Sequence, residues 1–226
     1  MRRILFPLIL GLGGIAVLLA LGFWQLRRLE WKEEILANIT ARIGDTPVDI
    51  ATIGAPDKAT QRYMPVALSG KTTGQEILVL SGMQHQGAGY EVIAAFETTS
   101  GRRILLDRGF IPEALRGAAR PPAALTITGN LDWPLEADSY TPPPDAKTGL
   151  WFARDVDLMA KSLGTDPLLV VINAAKGDVQ SIVPVPVGTA SIKNDHLQYA
   201  VTWFSLAMVW AGMTAYLLWR IRRRES

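Results

Sequence analysis

The segment before the second long apolar run combines a metal-ligating side chain with flat aromatic rings. On a helix, seven residues fall within an arc of about 100°: His196, Tyr199, Ala200, Trp203, Ala207, Trp210 and Thr214. Imidazole is a common ligand of iron, and the alanines leave room beside the rings. The pattern suits a porphyrin lying along the helix with its iron at His196. The same pattern is typical of interfacial aromatics and close helix packing, and both interpretations stay open.

A second group of candidate residues follows the first apolar run, in the sequence WQLRRLEW. Two arginines, Arg27 and Arg28, can hold anionic groups such as propionates. Trp24, Gln25 and Trp31 emerge at the same border. The alternative is an aromatic anchor followed by a solvated, charged helix.

Other chemistry is poorly represented in the chain. It contains no cysteine, which excludes disulfides and thiolate sites, and it carries no nucleophile motif or phosphate-binding glycine loop. His85, with Met83 nearby, is at most a weak copper ligand, and an exposed loop histidine is the alternative. Asp107 beside Arg108 predicts either a buried pair or, at a strand end, an ion pair or turn contact.

Two uncharged segments are long enough to cross a bilayer, so we predict transmembrane helices over residues 4–24 and 197–219. The alternative for the first segment is a cleaved signal peptide, because Arg2 and Arg3 precede it. A helical extension is predicted over 25–39. Small residues predict that the two spans touch; the faces expected to meet are Gly13, Ala16 and Ala20 on the first, and Ala207, Ala211 and Ala215 on the second.

The basic residues predict the orientation of the chain. Residues 220–226 contain four arginines, whereas Lys193 alone lies before the second span, so the C-terminus is expected to be cytoplasmic. Two spans then make residues 1–3 cytoplasmic and residues 40–193 periplasmic in a bacterial inner membrane. Because the basic residues gather at the two ends and form no stripe on a folded face, no nucleic-acid partner is expected, whereas membrane lipid is.

The region between the spans alternates short β-like runs with turn residues, and one helical pattern interrupts it. Strands are predicted at MPVALSG, EILVL, YEVIAAFE, RRILLDRGF, ALTITGNL, PLLVVIN and SIVPVPV. A helix is predicted at ARDVDLMAKSLG, begun by an Asp155 cap and ended by Gly164. The fold class is therefore α+β: two transmembrane helices flanking a β-rich periplasmic domain.

Five segments in order give the chain a resemblance to a known family: GFWQLRRLEWK, GAGYEVIAAFE, ILLDRGFIP, WFARDVDLMAKSLG and NDHLQYAVTWF. They resemble the Surfeit locus protein 1 family, called Shy in yeast, of cytochrome c oxidase assembly factors. The likeness covers nearly the whole chain. Asp107 departs from a frequent asparagine of the family.

The resemblance implies a non-enzymatic factor that binds haem a transiently. It implies that haem a comes from its synthase and passes to catalytic subunit I of the oxidase. By the family motifs, His196 is the implied iron ligand, and Tyr199, Trp203, Trp24, Gln25, Arg27 and Arg28 are the other implied cofactor-binding residues. The alternatives are a scaffold that stabilises the catalytic subunit without contacting haem, and an outer-face enzyme, which the absence of a visible nucleophile–base pair disfavours.

Overall fold

The computed structural model describes residues 2–84, 86–190 and 192–225. The chain divides into two compact units, one formed by residues up to Asn38 and from Thr189 onward, the other by Ile39–Gly188. The predicted α+β class is confirmed, with a long apolar helix at each end of a β-rich region. His85, a candidate copper ligand, lies outside the described residues.

Helix α1 runs without interruption over Arg2–Ile43, so the predicted first span and its extension form a single helix of 42 residues. Helix α4 spans His196–Glu225. Both helices are long and apolar enough to cross a membrane.

One side of α1 carries its buried residues. Because an α-helix has about 3.6 residues per turn, residues 11, 14, 18, 22, 25 and 29 lie on the same side. Gly11, Gly22 and Gln25 on that side are buried.

The two long helices pack with large side chains of α4 over glycines of α1. A Cβ atom on Gly22 would lie 2.6 Å from Phe204 Cε1, and one on Gly14 would collide with the Trp210 indole. The Phe204 ring also meets Phe23 edge-on, with centroids 5.4 Å apart. These contacts show that bulky residues of one helix fill the space left by missing side chains of the other.

The sequence prediction of this packing was right for part of α4 and wrong for α1. Ala207 is buried and Ala211 half-buried against α1, as predicted, whereas Ala215 is exposed. Gly13 has no atom within 4 Å of its Cβ position. The remaining two predicted α1 residues, Ala16 and Ala20, are also exposed. Successive residues of an α-helix point about 100° apart, so a predicted stripe that is wrong by one position faces a different side of the helix.

The second unit is built on a seven-stranded sheet. The strands are β1 (Val48–Asp49), β2 (Pro65–Met83), β3 (Gly87–Thr98), β4 (Arg103–Pro112), β5 (Ala124–Asp132), β6 (Leu150–Trp151) and β7 (Leu169–Gly177). The order is β1-β2-β3-β4-β7-β5, and β5 also pairs with β2. This last pairing closes β2, β3, β4, β7 and β5 into a ring of hydrogen-bonded strands, which leaves those strands paired on both sides.

Strand β2 can pair with two neighbours because it is long. Residues 65–71 pair with β5 and residues 70–83 with β3. The predicted strands MPVALSG and EILVL are therefore two halves of one strand, with an irregularity between Thr72 and Glu76. Gly74 there has a φ of +82°, a conformation that glycine adopts without steric cost.

Helix α3 (Val156–Leu163) packs its apolar side on the sheet as the sequence pattern predicts. Val156, Met159, Ala160 and Leu163 are its buried residues, which is the i, i+3, i+4, i+7 spacing of one helix face. The Asp155 carboxylate accepts a hydrogen bond from Leu158 N at 3.0 Å. Gly164 ends the helix with a φ of +62°. Both predicted ends of this helix are confirmed.

The predicted strand at SIVPVPV is wrong. Val183 alone forms an isolated bridge there, to Phe110 of β4. Pro184 and Pro186 lack the N–H group that a continuing ladder needs, so pairing stops after one residue. Short helix α2 (Lys58–Gln61) precedes β2 and carries an Asp57 cap.

Candidate functional site

His196 is the first residue of α4 and contacts α1 through a hydrogen bond. His196 Nδ1 lies 2.7 Å from Gln25 Oε1. A carbonyl oxygen can only accept, so Nδ1 carries the proton and donates it to Gln25. The neutral imidazole then has its lone pair on Nε2, the atom able to bind a metal. Gln25 is itself buried, with 9% of its surface exposed.

Gln25 belongs to the face of α1 that turns toward α4, which explains why its side chain reaches His196. Relative to Gln25, Arg27 lies about 200° around the helix and Trp24 about 100°. Both side chains are exposed, as is Arg28. The Arg28 guanidinium lies 4.3 Å from the centre of the Trp31 ring, a cation–π contact.

The seven residues of the predicted stripe on α4 differ in how deeply they are buried. Ala200 and Ala207 are 1% and 4% exposed, so the middle of the stripe packs against α1. Tyr199 at its edge is 55% exposed. Trp203 is half-buried, and its indole Nε1 is buried with no hydrogen-bond partner among the described residues. Burying an unpaired polar atom costs free energy. Asn194 Oδ1, two residues before His196, is likewise buried without a hydrogen-bond partner among the described residues.

A hydrogen bond from a side chain of α1 to the backbone holds the segment just before α4. The Lys32 Nζ atom donates to the carbonyl of Lys193, three residues before His196. Lys32 lies seven residues after Gln25, two helical turns further along α1. Gln25 and Lys32 together hold the beginning of α4 beside α1.

A second candidate site, which sequence reasoning missed, is a cluster of charged side chains around Arg154 in the sheet unit. Arg154 Nη1 lies 2.9 Å from Asp107 Oδ2 and 3.1 Å from Glu91 Oε2. Arg154 Nε and its backbone N both donate to the Glu136 carboxylate, each at 3.0 Å to one of its oxygens. We call Glu91, Asp107, Glu136 and Arg154 the Arg154 cluster.

Three carboxylates share one guanidinium in this cluster, and the burial of Asp107 governs its charge. Asp107 is 2% exposed. Burial raises the pKa of Asp107 to about 7; the Arg154 charge opposes this rise and the Glu91 charge adds to it. For Glu136, burial is outweighed by the hydrogen bond and charge of Arg154, so its pKa is lowered. Arg154 loses solvation on burial, but Glu136 and the other two acids raise its pKa and keep it charged.

The predicted alternative of a buried Asp107–Arg108 pair is wrong. Successive strand residues point to opposite faces, so Asp107 contacts Arg154 whereas Arg108 Nη1 donates to Gln180 Oε1 at 3.1 Å. Asp107 also accepts from Gly109 N at 3.0 Å. The sequence contained one signal that could have revealed this cluster: a single acidic residue inside an otherwise apolar strand, as in YEVIAAF and ILLDRGF.

No group of three or more possible His, Cys, Asp or Glu metal ligands occurs within residues 2–84, 86–190 and 192–225. The first site offers one imidazole with a defined tautomer, together with two buried polar atoms that have no partner among the described residues, Trp203 Nε1 and Asn194 Oδ1. This set fits a cofactor that brings its own equatorial ligands and needs one axial nitrogen, as a porphyrin iron does.

The fold and this site define a class: an α+β protein with a closed ring of strands and two helices of membrane-spanning length that meet at a histidine. The profile of the SURF1 family matches residues 12–208, and the chain belongs to that family. The family resemblance of the sequence motifs is thereby confirmed.

Individual relatives match over most of their length. Surfeit locus protein 1 of Gallus gallus is 27% identical over 228 aligned residues, which cover 88% of this chain and 70% of the relative. The SURF1-like protein of Rickettsia conorii is 28% identical over 223 residues, covering 91% and 88%. The SURF1-like protein of Monosiga brevicollis is 29% identical over 221 residues, covering 89% and 83%.

Proposed function

We propose that this protein is an assembly factor, not an enzyme, for haem–copper cytochrome c oxidase, and that it binds haem a transiently at His196. The observation that carries the proposal is the hydrogen bond of 2.7 Å between His196 Nδ1 and Gln25 Oε1. It orients the ring and leaves Nε2 with the lone pair, which is the arrangement found for histidines that ligate metals.

In this proposal the residues around His196 bind and release a cargo and change no covalent bond. His196 would hold the haem through one nitrogen ligand to its iron, and no second protein ligand to the iron is proposed. Trp203 supplies an unpaired N–H donor near the histidine, and Tyr199 presents an exposed ring one turn from it. Arg28 is the nearer of the two arginines to the Gln25 face, about 60° away, and is the better candidate for a propionate.

The partners follow from the cargo. Haem a is received from its synthase and handed to catalytic subunit I of the oxidase, both within the membrane. The family membership and the two helices of membrane-spanning length support this part of the proposal.

The proposed topology is a two-pass protein of a bacterial inner membrane with both termini in the cytoplasm and residues 40–193 in the periplasm. Four arginines follow the second span, and the positive-inside rule keeps such a cluster in the cytoplasm. A reporter that is active only in the periplasm should be silent when fused after Ser226 and active when inserted in the exposed loop at Tyr140. Activity at the C-terminus would contradict the topology.

The second candidate function is a scaffold that stabilises the catalytic subunit without contacting haem. One observation favours it: Ala200 and Ala207, which share a helix side with His196, are almost fully buried against α1. In this case the His196–Gln25 bond serves helix packing, and the stripe has no room for a porphyrin.

The visible spectrum of the purified protein separates the two functions. The protein is expressed in cells that make haem a, with His196→Ala as the test variant and His85→Ala as the matched control. Haem delivery predicts a Soret band that is strongly reduced in the first variant and kept in the second. A Soret band unchanged in His196→Ala excludes this histidine as the ligand, and no Soret band in the wild type supports the scaffold.

A further inference from the structure

The structure contains an apolar groove between α1 and α4 at the end of the helices farthest from His196. Its volume is about 410 Å³. Phe6, Pro7 and Leu10 of α1 form one wall, and Met213, Tyr216 and Leu217 of α4 form the other. Phe6 and Met213 are 72% and 63% exposed, so the groove is open at the side.

The groove has a local cause in the sequence. Pro7 lies inside α1. Its ring lacks an N–H group, so it donates no hydrogen bond to the carbonyl four residues earlier, and it crowds that carbonyl. One turn later, Gly11 allows close approach, since a Cβ atom there would collide with Thr214. The helices are thus close at Gly11 and leave a groove beside Pro7.

Two of the polar side chains along the groove, Trp210 and Thr214, are already paired. Trp210 Nε1 donates to the Gly11 carbonyl at 3.2 Å, and Thr214 Oγ1 donates to the Trp210 carbonyl at 2.8 Å. A water molecule needs two to four polar partners to occupy a site, and these groups offer it none of their donors. An apolar occupant is therefore favoured in the groove.

Two basic residues follow the groove along α4. Arg220 follows Tyr216 by four residues and Leu217 by three, and Arg223 follows Tyr216 by seven, so both arginines extend the same side of α4. Both are exposed, and the Arg223 guanidinium lies 4.5 Å from the centre of the Trp219 ring. Basic groups at the end of a groove between membrane helices suit an anionic lipid headgroup.

We propose that this groove is a binding site for an anionic phospholipid, with one acyl chain beside Pro7 and Met213 and the phosphate at Arg220 and Arg223. An acyl chain matches the largely apolar lining, and a phosphate matches the two arginines that follow the lining by one and two turns. The lipid proposal does not depend on haem binding, because the groove lies between the two helices at the end of α4 farthest from His196.

Native mass spectrometry of the full-length protein in lipid nanodiscs tests the site. The nanodiscs contain phosphatidylcholine with or without phosphatidylglycerol, and the retained lipid is counted. Met213→Trp fills the groove, and Met208→Trp, at a residue that is 70% exposed and outside the groove, is the matched control. Retained phosphatidylglycerol should fall about tenfold in the first variant, because the acyl chain would lose the contacts of about two methylene groups. It should stay unchanged in the second.

The headgroup is tested by Arg220→Gln and Arg223→Gln, with Lys161→Gln, at an exposed residue of α3, as the control. Each of the first two should lower the preference for phosphatidylglycerol over phosphatidylcholine about fivefold, the effect of one basic residue near a charged membrane surface. Equal losses in Met213→Trp and Met208→Trp, or an unchanged preference without the arginines, would overturn the lipid site. Unchanged lipid in Met213→Trp with loss of a co-purified oxidase subunit would assign the groove to a partner helix instead.

Discussion

The Nδ1 atom of His196 donates a hydrogen bond of 2.7 Å to Oε1 of Gln25, and this bond joins residues 171 positions apart. It gives the candidate haem site its geometry, because the protonated Nδ1 leaves the lone pair on Nε2. In the proposed haem site, Gln25 would be a positioning residue that acts through the histidine. The sequence motif had grouped it with residues in direct contact with the cofactor.

Gln25→Leu removes the acceptor and frees the imidazole to rotate while His196 remains. Loss of such a partner commonly weakens metal binding by about 10- to 100-fold. We expect a fall of that size in haem affinity, measured by titration of the Soret absorption. Gln198→Leu, at an exposed residue of α4, is the matched control. Equal affinity of wild type and Gln25→Leu would limit Gln25 to helix packing.

Arg154→Met should destabilise the sheet unit strongly. The Arg154 side chain is 18% exposed and neutralises carboxylates from three separate segments. Removing one partner of a buried ion pair leaves uncompensated charge and costs about 3–5 kcal/mol of unfolding free energy. Urea denaturation in detergent micelles, followed by near-UV circular dichroism, measures the loss.

Lys58→Met is the control for that experiment. The Lys58–Asp157 pair has both side chains 55% exposed, and exposed pairs contribute about 0–1 kcal/mol. Similar losses in Arg154→Met and Lys58→Met would show that the Arg154 cluster contributes no more than a surface ion pair.

Asp107 should make the stability of the protein depend on pH. Its pKa is about 7 in the folded protein, mainly because of burial, and about 3.9 in an unfolded chain. Between these values the folded state binds the extra proton, so the contribution of Asp107 to the free energy of unfolding falls as pH rises and levels off above pH 7.

Asp107→Asn removes this titration and keeps a side chain of similar size. The free energy of unfolding of both proteins is measured in urea from pH 4 to pH 8. The wild-type value should fall relative to the value of the variant as pH rises to about 7, and the difference should then stay constant. The paired carboxylate Glu136 titrates in the opposite sense, since its pKa is lowered, but it is present in both proteins and cancels. A difference that is constant across this pH range would contradict the raised pKa.

Gly22→Leu should separate α1 from α4. A Cβ atom at this residue would lie 2.6 Å from Phe204 Cε1, so either the ring or the helix must move. Overpacking of this kind costs about 1–3 kcal/mol. Unfolding in SDS-containing mixed micelles, followed by far-UV circular dichroism, measures the change. Gly13→Leu has open space and should be tolerated; equal effects of both substitutions would contradict the packing described.

The sequence by itself determined the features that depend on neighbouring residues. Two uncharged segments, the Asp155 cap and Gly164 stop of α3, and most strands were predicted correctly, because hydropathy, capping and turn chemistry are local properties. The family motifs also pointed to His196 and Gln25. The side of α1 that faces α4 cannot be read from neighbouring residues. Gly13 was therefore predicted to lie at the contact, whereas Gly11, Gly14 and Gly22 make it.

The tertiary structure alone decided which polar groups meet. Gln25 contacts His196 because both lie on the facing sides of two helices that are far apart in sequence. The Arg154 cluster joins two strands, the chain after β5 and the chain before α3, and strand alternation sends Asp107 toward Arg154 and Arg108 away from it. Such pairs depend on strand register and helix rotation, which are set when the buried apolar faces pack, and the order of residues along the chain does not reveal them.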